Sequence, residues 1–133
     1  MVRLGNSTLI SIVDDDESFR TAVRDMVETL GYAVAAFASG VEFLGSDRLR
    51  DSACLITDVC MPGMSGFELH DRLVATGYSI PTIFLTAFPA KKGNDRAIRA
   101  RAVAYLSKPC HRDNLLARIH SALDHGKADV KGS

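Results

Sequence analysis

The sequence predicts an α/β fold in which helices cover both faces of a parallel β-sheet. Five short apolar runs alternate with five stretches whose apolar residues recur at helical spacing, and this alternation is typical of repeated strand–helix units. The apolar runs are nearly continuous, as expected for strands that are buried on both faces. Because the chain has 133 residues, it fits a single doubly wound domain.

Strands are predicted where short, β-branched apolar runs end abruptly at polar residues. This criterion places them over residues 8–13, 32–37, 53–57, 80–85 and 103–106. The first helix carries apolar residues at helical spacing from Phe19 to Leu30, and Gly31 follows where a C-terminal cap belongs.

Two Ser-x-x-Glu sequences mark the start of further helices, because serine and glutamate at this spacing form a capping box. The box at Ser39 opens a second helix that is expected to run to about Leu49, and the box at Ser65 opens a third. The fourth and fifth helices are expected over residues 91–100 and 113–123. The apolar residues expected on one face of the third and fifth helices are Leu69, Leu73, Val74, Leu116, Ile119 and Leu123.

Composition argues against several functional classes. Sixteen basic and sixteen acidic residues give a formal net charge of zero, so no overall field draws the protein to nucleic acid or to an anionic membrane. The longest apolar stretch, residues 33–38, is far shorter than a membrane span, and the first residues lack the apolar run of a secretory signal. Three cysteines without a Cys-x-x-Cys pair argue against a disulfide scaffold. We expect a soluble, cytoplasmic domain over residues 1–126 and a polar tail over residues 127–133.

Polar residues suited to phosphoryl chemistry follow four of the predicted strands. The first strand ends in Asp14-Asp15-Asp16-Glu17, the third at Asp58, the fourth at Thr86 and the fifth at Lys108. Because the carboxyl ends of parallel strands meet at one edge of the sheet, these groups are expected to lie together. Carboxylate oxygens suit Mg²⁺, and an ammonium with a hydroxyl suits a phosphoryl group. The residues therefore indicate phosphoryl transfer to a carboxylate.

Four separated motifs stand in order along the chain: Ile12-Val13-Asp14-Asp15, Thr57-Asp58-Val59-Cys60-Met61-Pro62-Gly63-Met64-Ser65-Gly66, Thr86-Ala87 and Tyr105-Leu106-Ser107-Lys108-Pro109. Their combination resembles the receiver domain of two-component response regulators over roughly residues 7–125. Asp58 precedes Thr86 by 28 residues and Lys108 by 50, and both intervals are similar to those of the nitrogen-fixation and nitrate-response branch. The resemblance implies a flavodoxin-like sheet with the strand order 2-1-3-4-5.

The resemblance also implies a role for each site residue. Asp58 would be the phosphorylated nucleophile and a metal ligand, Asp15 would bind Mg²⁺ directly, and Asp14 would bind it through water. The backbone carbonyl of Cys60 would supply a further ligand. Lys108 would pair with the phosphoryl group.

Two further residues would form a conformational switch. Thr86 would report the arrival of the phosphoryl group, and Tyr105 would move inward when Thr86 shifts. The Lys108-Pro109 peptide bond is expected to be cis, as is usual in this family.

The implied function is that of a signalling switch, and not of an enzyme beyond its own phosphorylation and dephosphorylation. A histidine kinase or phosphotransfer protein would donate the phosphoryl group, and a downstream protein would bind the fourth and fifth helices. The protein would be a monomer or a phosphorylation-dependent homodimer. No direct contact with nucleic acid is expected, because no helix-turn-helix or other DNA-reading element follows the basic run of the fourth helix. A stand-alone regulator is expected, and the N-terminal half of a DNA-binding transcription factor is the alternative.

Several residues depart from the family pattern on the side where a downstream protein is expected to bind. The loop over residues 87–92 is bulkier than usual, Arg101 stands where glycine is common, and Cys110 replaces a common phenylalanine. The basic run over residues 91–101 suggests either a solvated helix face or an acidic partner. Cys60 and Cys110 flank the predicted site, where they either tune the access of water or act as redox-sensitive thiols.

Two other functions fit part of the pattern. Asp14-Asp15-Asp16-Glu17-Ser18 loosely matches the Asp-x-Asp-x-Thr motif of haloacid-dehalogenase-like phosphatases, in which Asp14 would be the nucleophile and Asp16 the acid. That assignment leaves Asp58 and Thr86 without a matching role. A binding module that needs no phosphorylation is the third alternative, and the unusual loop after Thr86 keeps it open.

Overall fold

One parallel sheet organises the chain, with the strand order β2-β1-β3-β4-β5. The computed structural model describes the backbone of residues 8–132 and the side chains of residues 8–124. The strands are β1 Leu9–Val13, β2 Ala33–Phe37, β3 Ser52–Asp58, β4 Thr82–Thr86 and β5 Ala104–Ser107. The helices are α1 Glu17–Thr29, α2 Gly40–Leu44, α3 Gly66–Ala75, α4 Lys91–Arg99 and α5 Arg112–Gly132, and a short 3₁₀ turn, Leu49–Asp51, precedes β3. The predicted doubly wound α/β fold and its strand order are confirmed.

Helices pack on both faces of the sheet because successive side chains of a strand point to opposite faces. On one face, α1 and α5 bury apolar residues against strand residues such as Ile12 and Ile56. On the other face, α2 and α3 pack around Leu55, and α3 and α4 pack around Phe84. Ala97 is the single buried residue of α4, so this helix has the smallest apolar anchor.

The second helix is shorter than the sequence predicts. It ends at Leu44 and not at about Leu49, with Gly45 as its C-terminal cap. The Ser46 hydroxyl then accepts a hydrogen bond from the Arg48 N–H at 2.9 Å, which favours a turn over a continued helix. Leu49 is only 9% exposed, because the 3₁₀ turn returns the chain to the core.

Two apolar helix faces are also rotated from their predicted positions. In α3, Leu69 and Leu73 are buried as expected, but Val74 is 59% exposed. In α5 the residues that are fully buried are Leu115, Ile119 and Ala122, whereas the predicted Leu116 and Leu123 are only partly buried. Two apolar residues that are neighbours in sequence point in different directions around a helix, so they cannot both face the sheet. The way the helix lies on the sheet decides which of the two is buried.

The ends of the strands and of the last helix differ slightly from prediction. β4 begins at Thr82 because Pro81, which lacks an N–H, contributes to the sheet only through its carbonyl, which accepts from the Leu55 N–H at 2.9 Å. The backbone of α5 continues to Gly132, through most of the segment that was assigned to a polar tail; the domain limits stay a prediction. No helix in the described part of the chain is long and apolar enough to cross a membrane.

Arg101 has an unfavourable backbone conformation just after α4. Its φ is 60°, in the left-handed region that glycine enters without steric cost. The Arg101 N–H donates to the Ile98 carbonyl at 3.0 Å, and the Ala102 N–H donates to the Ala97 carbonyl at 3.0 Å. The left-handed residue therefore ends the helix, at the position where the sequence departs from a common glycine.

We expect Arg101→Gly to raise the free energy of unfolding by about 0.5–1 kcal/mol, because the relief of left-handed strain exceeds the entropic cost of a more flexible unfolded chain. Urea denaturation measures the difference. Arg99→Gly is the matched control, since Arg99 is the last residue of α4 and glycine weakens a right-handed helix. A loss of stability in both variants would contradict the expectation.

Candidate functional site

Three carboxylates meet at the carboxyl-terminal edge of the sheet. β1 and β3 are neighbours, with Val13 opposite Thr57, so Asp14 and Asp58 follow paired positions on adjacent strands. Carboxylate oxygens of Asp14, Asp15 and Asp58 lie within 4.8 Å of one another. Asp14 and Asp58 are buried, whereas Asp15 is exposed. The topology therefore concentrates negative charge at one edge, where the sequence predicts the site.

Lys108 supplies the positive charge that faces this cluster. Its Nζ lies 2.8 Å from an oxygen of Asp14 and 3.5 Å from an oxygen of Asp58. The Lys108 N–H donates to the Thr86 carbonyl at 2.8 Å, and the peptide bond to Pro109 is cis, as predicted. Burial by itself disfavours the charge of Lys108, but the hydrogen bond and negative charge of Asp14, together with Asp58, outweigh it and raise the lysine pKa.

Asp58 is the carboxyl group whose proton affinity the site changes most clearly. Its pKa is raised from 3.8 to about 6, first by burial and second by the negative charge of Asp14. Lys108 opposes the increase through its charge and hydrogen bond, and Asp15 contributes a smaller increase. A buried acid with a perturbed pKa beside a lysine is typical of a functional site. Near neutral pH, Asp58 is therefore mostly ionised but close to its titration range.

The start of α1 holds Asp14 in place. The Asp16 N–H donates to Oδ1 of Asp14 at 2.9 Å, and Nη1 of Arg20 donates to the Asp14 carbonyl at 2.7 Å. Asp16 itself is the N-cap of α1, and its Oδ1 accepts from the N–H groups of Ser18 and Phe19. Because Oδ1 of Asp16 is hydrogen-bonded at the start of α1, this residue is unsuited to the acid role that a phosphatase mechanism would require.

A glycine shapes the loop that follows Asp58. A side chain at Gly66 would collide with the carbonyl group of Asp58 and would stand 3.2 Å from Cα of Val59. The Gly66 N–H donates to the Val59 carbonyl at 2.9 Å, and the predicted capping box between Ser65 and Glu68 is present. The first turn of α3 therefore packs directly on the backbone that carries Asp58, an arrangement that only glycine permits.

The two predicted switch residues hold the same loop from its two ends. Thr86 is buried, and its hydroxyl oxygen accepts a hydrogen bond from the Phe88 N–H at 3.1 Å. The Tyr105 hydroxyl accepts from the Ala90 N–H at 3.2 Å. These contacts connect Thr86 and Tyr105 through residues 87–90, the loop that the sequence marks as bulky; their roles as a switch stay a prediction.

The cysteines differ in their surroundings. Cys54 lies in the core, as predicted, and burial raises its pKa to about 12. Cys60 is exposed and Cys110 is half-buried. Burial raises the pKa of Cys110, and the nearby Arg118 only partly opposes this. A raised pKa disfavours the thiolate that redox chemistry needs, so this observation favours the alternative in which Cys110 tunes the access of water.

The residues present fit a hard divalent cation. Two buried carboxylates and one exposed carboxylate offer oxygens within a few ångströms of each other, and Mg²⁺ prefers a small number of carboxylates together with water and phosphate oxygens. The backbone carbonyl of Cys60, two residues beyond Asp58, is the further ligand that the sequence predicts. Asp14, Asp15, Asp58 and Lys108 are thus brought together, and which of them binds metal or reacts stays a prediction.

Sequence reasoning missed Gly66 and Gly93 as residues that shape the site. Gly93 lies inside α4, and a side chain there would collide with the Tyr105 hydroxyl and stand 2.9 Å from the Cζ atom of its ring. Glycine is a poor helix former, so its presence in the first turn of α4 is a signal that some group packs closely there. Gly66 gave a similar signal, as a glycine in the first turn of a well-capped helix.

We expect Asp58→Asn to raise the free energy of unfolding at pH 7 by about 1–3 kcal/mol, because the folded protein holds Asp58 with a raised pKa. In the wild type, the stability that a protonated Asp58 contributes is fully present below the pKa of the unfolded state, about 4. This contribution is lost as the pH rises through the folded-state pKa of about 6. Urea denaturation of both proteins between pH 4 and pH 7 measures this. Equal pH dependence in the two proteins would contradict the raised pKa.

We expect Gly93→Ala to lower the free energy of unfolding by about 1–3 kcal/mol through its collision with Tyr105. In a Tyr105→Leu background the same substitution should become stabilising, because alanine is the better helix former. Thermal or urea unfolding of the double-mutant cycle measures the sign. Gly45→Ala is the matched control, since its nearest neighbouring atom would lie 3.5 Å away. An unchanged sign in the two backgrounds would exclude the Tyr105 contact as the cause.

Comparison with known proteins identifies relatives over most of the chain. The response regulator protein TmoT of Ectopseudomonas mendocina is 35% identical over 116 residues, which are 87% of this chain and 53% of TmoT. The transcriptional regulatory protein FixJ of Bradyrhizobium diazoefficiens is 30% identical over 122 residues, 92% of this chain and 60% of FixJ. The chain spans about half the length of the curated relatives it matches.

Solved structures give the same result. The crystal structure of FixJ-N has a TM-score of 0.80 at 31% identity, covering 90% of this chain and 95% of that one. The structure of the response regulator StyR has a TM-score of 0.83 at 33% identity, covering 95% of this chain and 64% of that one. The family model of the response regulator receiver domain matches residues 10–120, and the haloacid-dehalogenase alternative is therefore wrong. The chain belongs to the family of response regulator receiver domains.

Proposed function

We propose that this receiver domain accepts a phosphoryl group on Asp58 in a Mg²⁺-dependent reaction and passes the signal to a partner through a conformational change. The observation that carries the proposal is the position of Asp58. It is a buried acid with a raised pKa, beside two further carboxylates and 3.5 Å from the Lys108 ammonium. Asp14 is likewise buried after a strand end, but its two oxygens are already held by the Asp16 N–H at 2.9 Å and by the Lys108 ammonium at 2.8 Å.

The reaction requires a nucleophile and neutralisation of charge. An oxygen of Asp58 would attack the phosphorus of a phosphohistidine or of a small acyl phosphate. The new O–P bond forms as the donor's bond to phosphorus breaks, and the electron pair of that bond leaves with the donor. A Mg²⁺ ion held by Asp14, Asp15, Asp58 and the Cys60 carbonyl would offset the negative charge of the transferring group. Lys108 would supply a second positive charge at the same edge.

Thr86 and the loop after it would carry the change away from Asp58. The Thr86 hydroxyl oxygen already accepts from the Phe88 N–H, and its proton is still available for a phosphoryl oxygen. A shift of Thr86 toward that oxygen would pull residues 87–90, which Tyr105 holds at Ala90. The acyl phosphate would thereby bias an existing equilibrium between two arrangements of the loop and α4.

The partners follow from the family and from the surface charge. A histidine kinase or phosphotransfer protein would donate the phosphoryl group. Exposed basic residues of the α4 segment, Lys91, Lys92, Arg96, Arg99 and Arg101, would favour an acidic surface on the downstream protein. The protein would act in the cytoplasm as a signalling switch whose catalysis is limited to its own phosphorylation and dephosphorylation. A stand-alone regulator is one arrangement, and a receiver joined to a DNA-binding output domain is the second, which the longer transcriptional relatives favour.

We expect incubation with Mg²⁺ and a small acyl phosphate to add one phosphoryl group to the protein, because Asp58 provides the nucleophile and the acidic cluster provides the metal site. Intact-mass spectrometry measures the addition. Asp58→Ala should abolish it, and removal of Mg²⁺ with a chelator should reduce it by at least about tenfold. Asp51→Asn is the matched control, because Asp51 is an exposed acid at the end of the 3₁₀ turn before β3, at the opposite end of that strand from Asp58.

The results separate the alternatives. Modification that persists in Asp58→Ala would place the nucleophile elsewhere and contradict the proposal. Mg²⁺ binding without any modification of the wild-type protein, measured within seconds of mixing, would support a binding module that needs no phosphorylation. Modification of the wild type that requires both Mg²⁺ and Asp58 would establish the receiver chemistry.

A further inference from the structure

Lys108 contacts an aromatic ring as well as the two carboxylates. Its Nζ lies 4.2 Å from the centroid of the Phe19 ring on α1, while the Lys108 side chain is only 14% exposed. A cation over an aromatic face is attracted to the ring, and the attraction is stronger where water is partly excluded. The lysine thus has three neighbours that hold its charge, and Phe19 is the neutral one.

The first turn of α1 fixes the position of Phe19. Oδ1 of Asp16 accepts from the Phe19 N–H at 3.3 Å, and the Asp16 N–H donates to Oδ1 of Asp14 at 2.9 Å. Oδ2 of Asp14 is in turn 2.8 Å from Nζ of Lys108. Asp14, Asp16, Phe19 and Lys108 therefore form a closed ring of contacts, in which each residue helps to position the next.

Packing on the sheet also restrains the ring. Phe19 is half-buried and packs against the core that α1 and α5 form with the sheet. Displacement of the ring would open this core, so the ring offers Lys108 a stable surface. The buried residues of that core, among them Val23 and Ile119, carry no charge.

A neutral support for Lys108 has a specific value at this site. The lysine side chain has four rotatable bonds and loses entropy when it is fixed. Asp14 attracts the ammonium at 2.8 Å, closer than Asp58 at 3.5 Å, and a further acid would add to the repulsion already present among the carboxylates. An aromatic ring restrains the ammonium without adding a negative charge that would repel an incoming phosphoryl group.

We propose that Phe19 is a positioning residue, whose ring holds the Lys108 ammonium within reach of Asp58 and thereby speeds the phosphorylation of Asp58. This inference rests on the proposed function, because it assigns a new residue to the same reaction. Phe19 acts through Lys108: its ring contacts the ammonium, while its backbone N–H binds the carboxylate of Asp16.

The test compares two substitutions that differ in whether they keep the ring. Phe19→Leu removes the aromatic face but keeps an apolar side chain, and it should slow phosphorylation of Asp58 by a small acyl phosphate about fivefold. Phe19→Tyr keeps the face and should retain a rate within about twofold of the wild type. The rate constant is measured by intact mass at fixed Mg²⁺ and donor concentrations.

A second measurement reports the contact independently of phosphorylation. In NMR spectra, the ε-methylene protons of Lys108 should be shifted upfield by the Phe19 ring, should lose this shift in Phe19→Leu, and should keep it in Phe19→Tyr. Val23→Ala is the control for general destabilisation, because Val23 is a buried residue of the same helix and packs in the same core.

Each outcome decides the proposal. The proposal is supported if phosphorylation is slow in Phe19→Leu and close to the wild-type rate in Phe19→Tyr, and if the upfield shift of Lys108 is lost in the first variant and kept in the second. Equal slowing of both variants, slowing of Val23→Ala to the same degree, or an absent upfield shift in the wild type overturns it. A wild-type protein that takes up no phosphoryl group overturns the proposed function, and with it this role, and the wild-type measurement alone identifies that case.

Discussion

The balance of charge at the carboxyl-terminal edge of the sheet is the constraint on which the site depends. The topology places Asp14, Asp15 and Asp58 with their oxygens within 4.8 Å of one another, and like charges at this distance repel. The Lys108 ammonium offsets this repulsion, at 2.8 Å from Asp14 and 3.5 Å from Asp58. Lys108 does not fully offset the other effects on Asp58, because burial first, and the negative charge of Asp14 second, still raise its pKa to about 6. The edge therefore favours the arrival of a further cation.

The charged groups depend on close backbone packing for their positions. Gly66 lets the first turn of α3 approach the carbonyl of Asp58, and Asp16 ties the first turn of α1 to Asp14. These contacts fix both acids from the helices that follow them. An alanine at position 66 would force the loop away from α3, whereas an exposed acid such as Asp51 could change without effect on the site.

Few contacts hold α4 and the loop before it, which would respond to phosphorylation, against the rest of the domain. Ala97 is the buried residue of α4, and Arg96 adds a contact over the Phe67 ring at 4.8 Å and an ion pair with Asp71 at 3.1 Å. The helix start is joined to Tyr105 through Ala90, and the preceding loop to Thr86 through Phe88. An element with a small apolar anchor moves at low free-energy cost. Under the proposed function, a small change at Thr86 would therefore move α4 while the sheet keeps its position.

The sequence pattern is enough to predict the class of fold and that Asp14, Asp15, Asp58 and Lys108 lie close together. Strand periodicity and capping boxes are local, and the carboxyl ends of parallel strands lie at one edge of the sheet. The folded structure adds that α2 ends before Leu49, which side of α3 and α5 faces the sheet, and that Phe19, Gly66 and Gly93 contact the site or its neighbours. Such contacts join elements that are distant in sequence, and they depend on how helices tilt and approach, which the period of a sequence pattern does not encode.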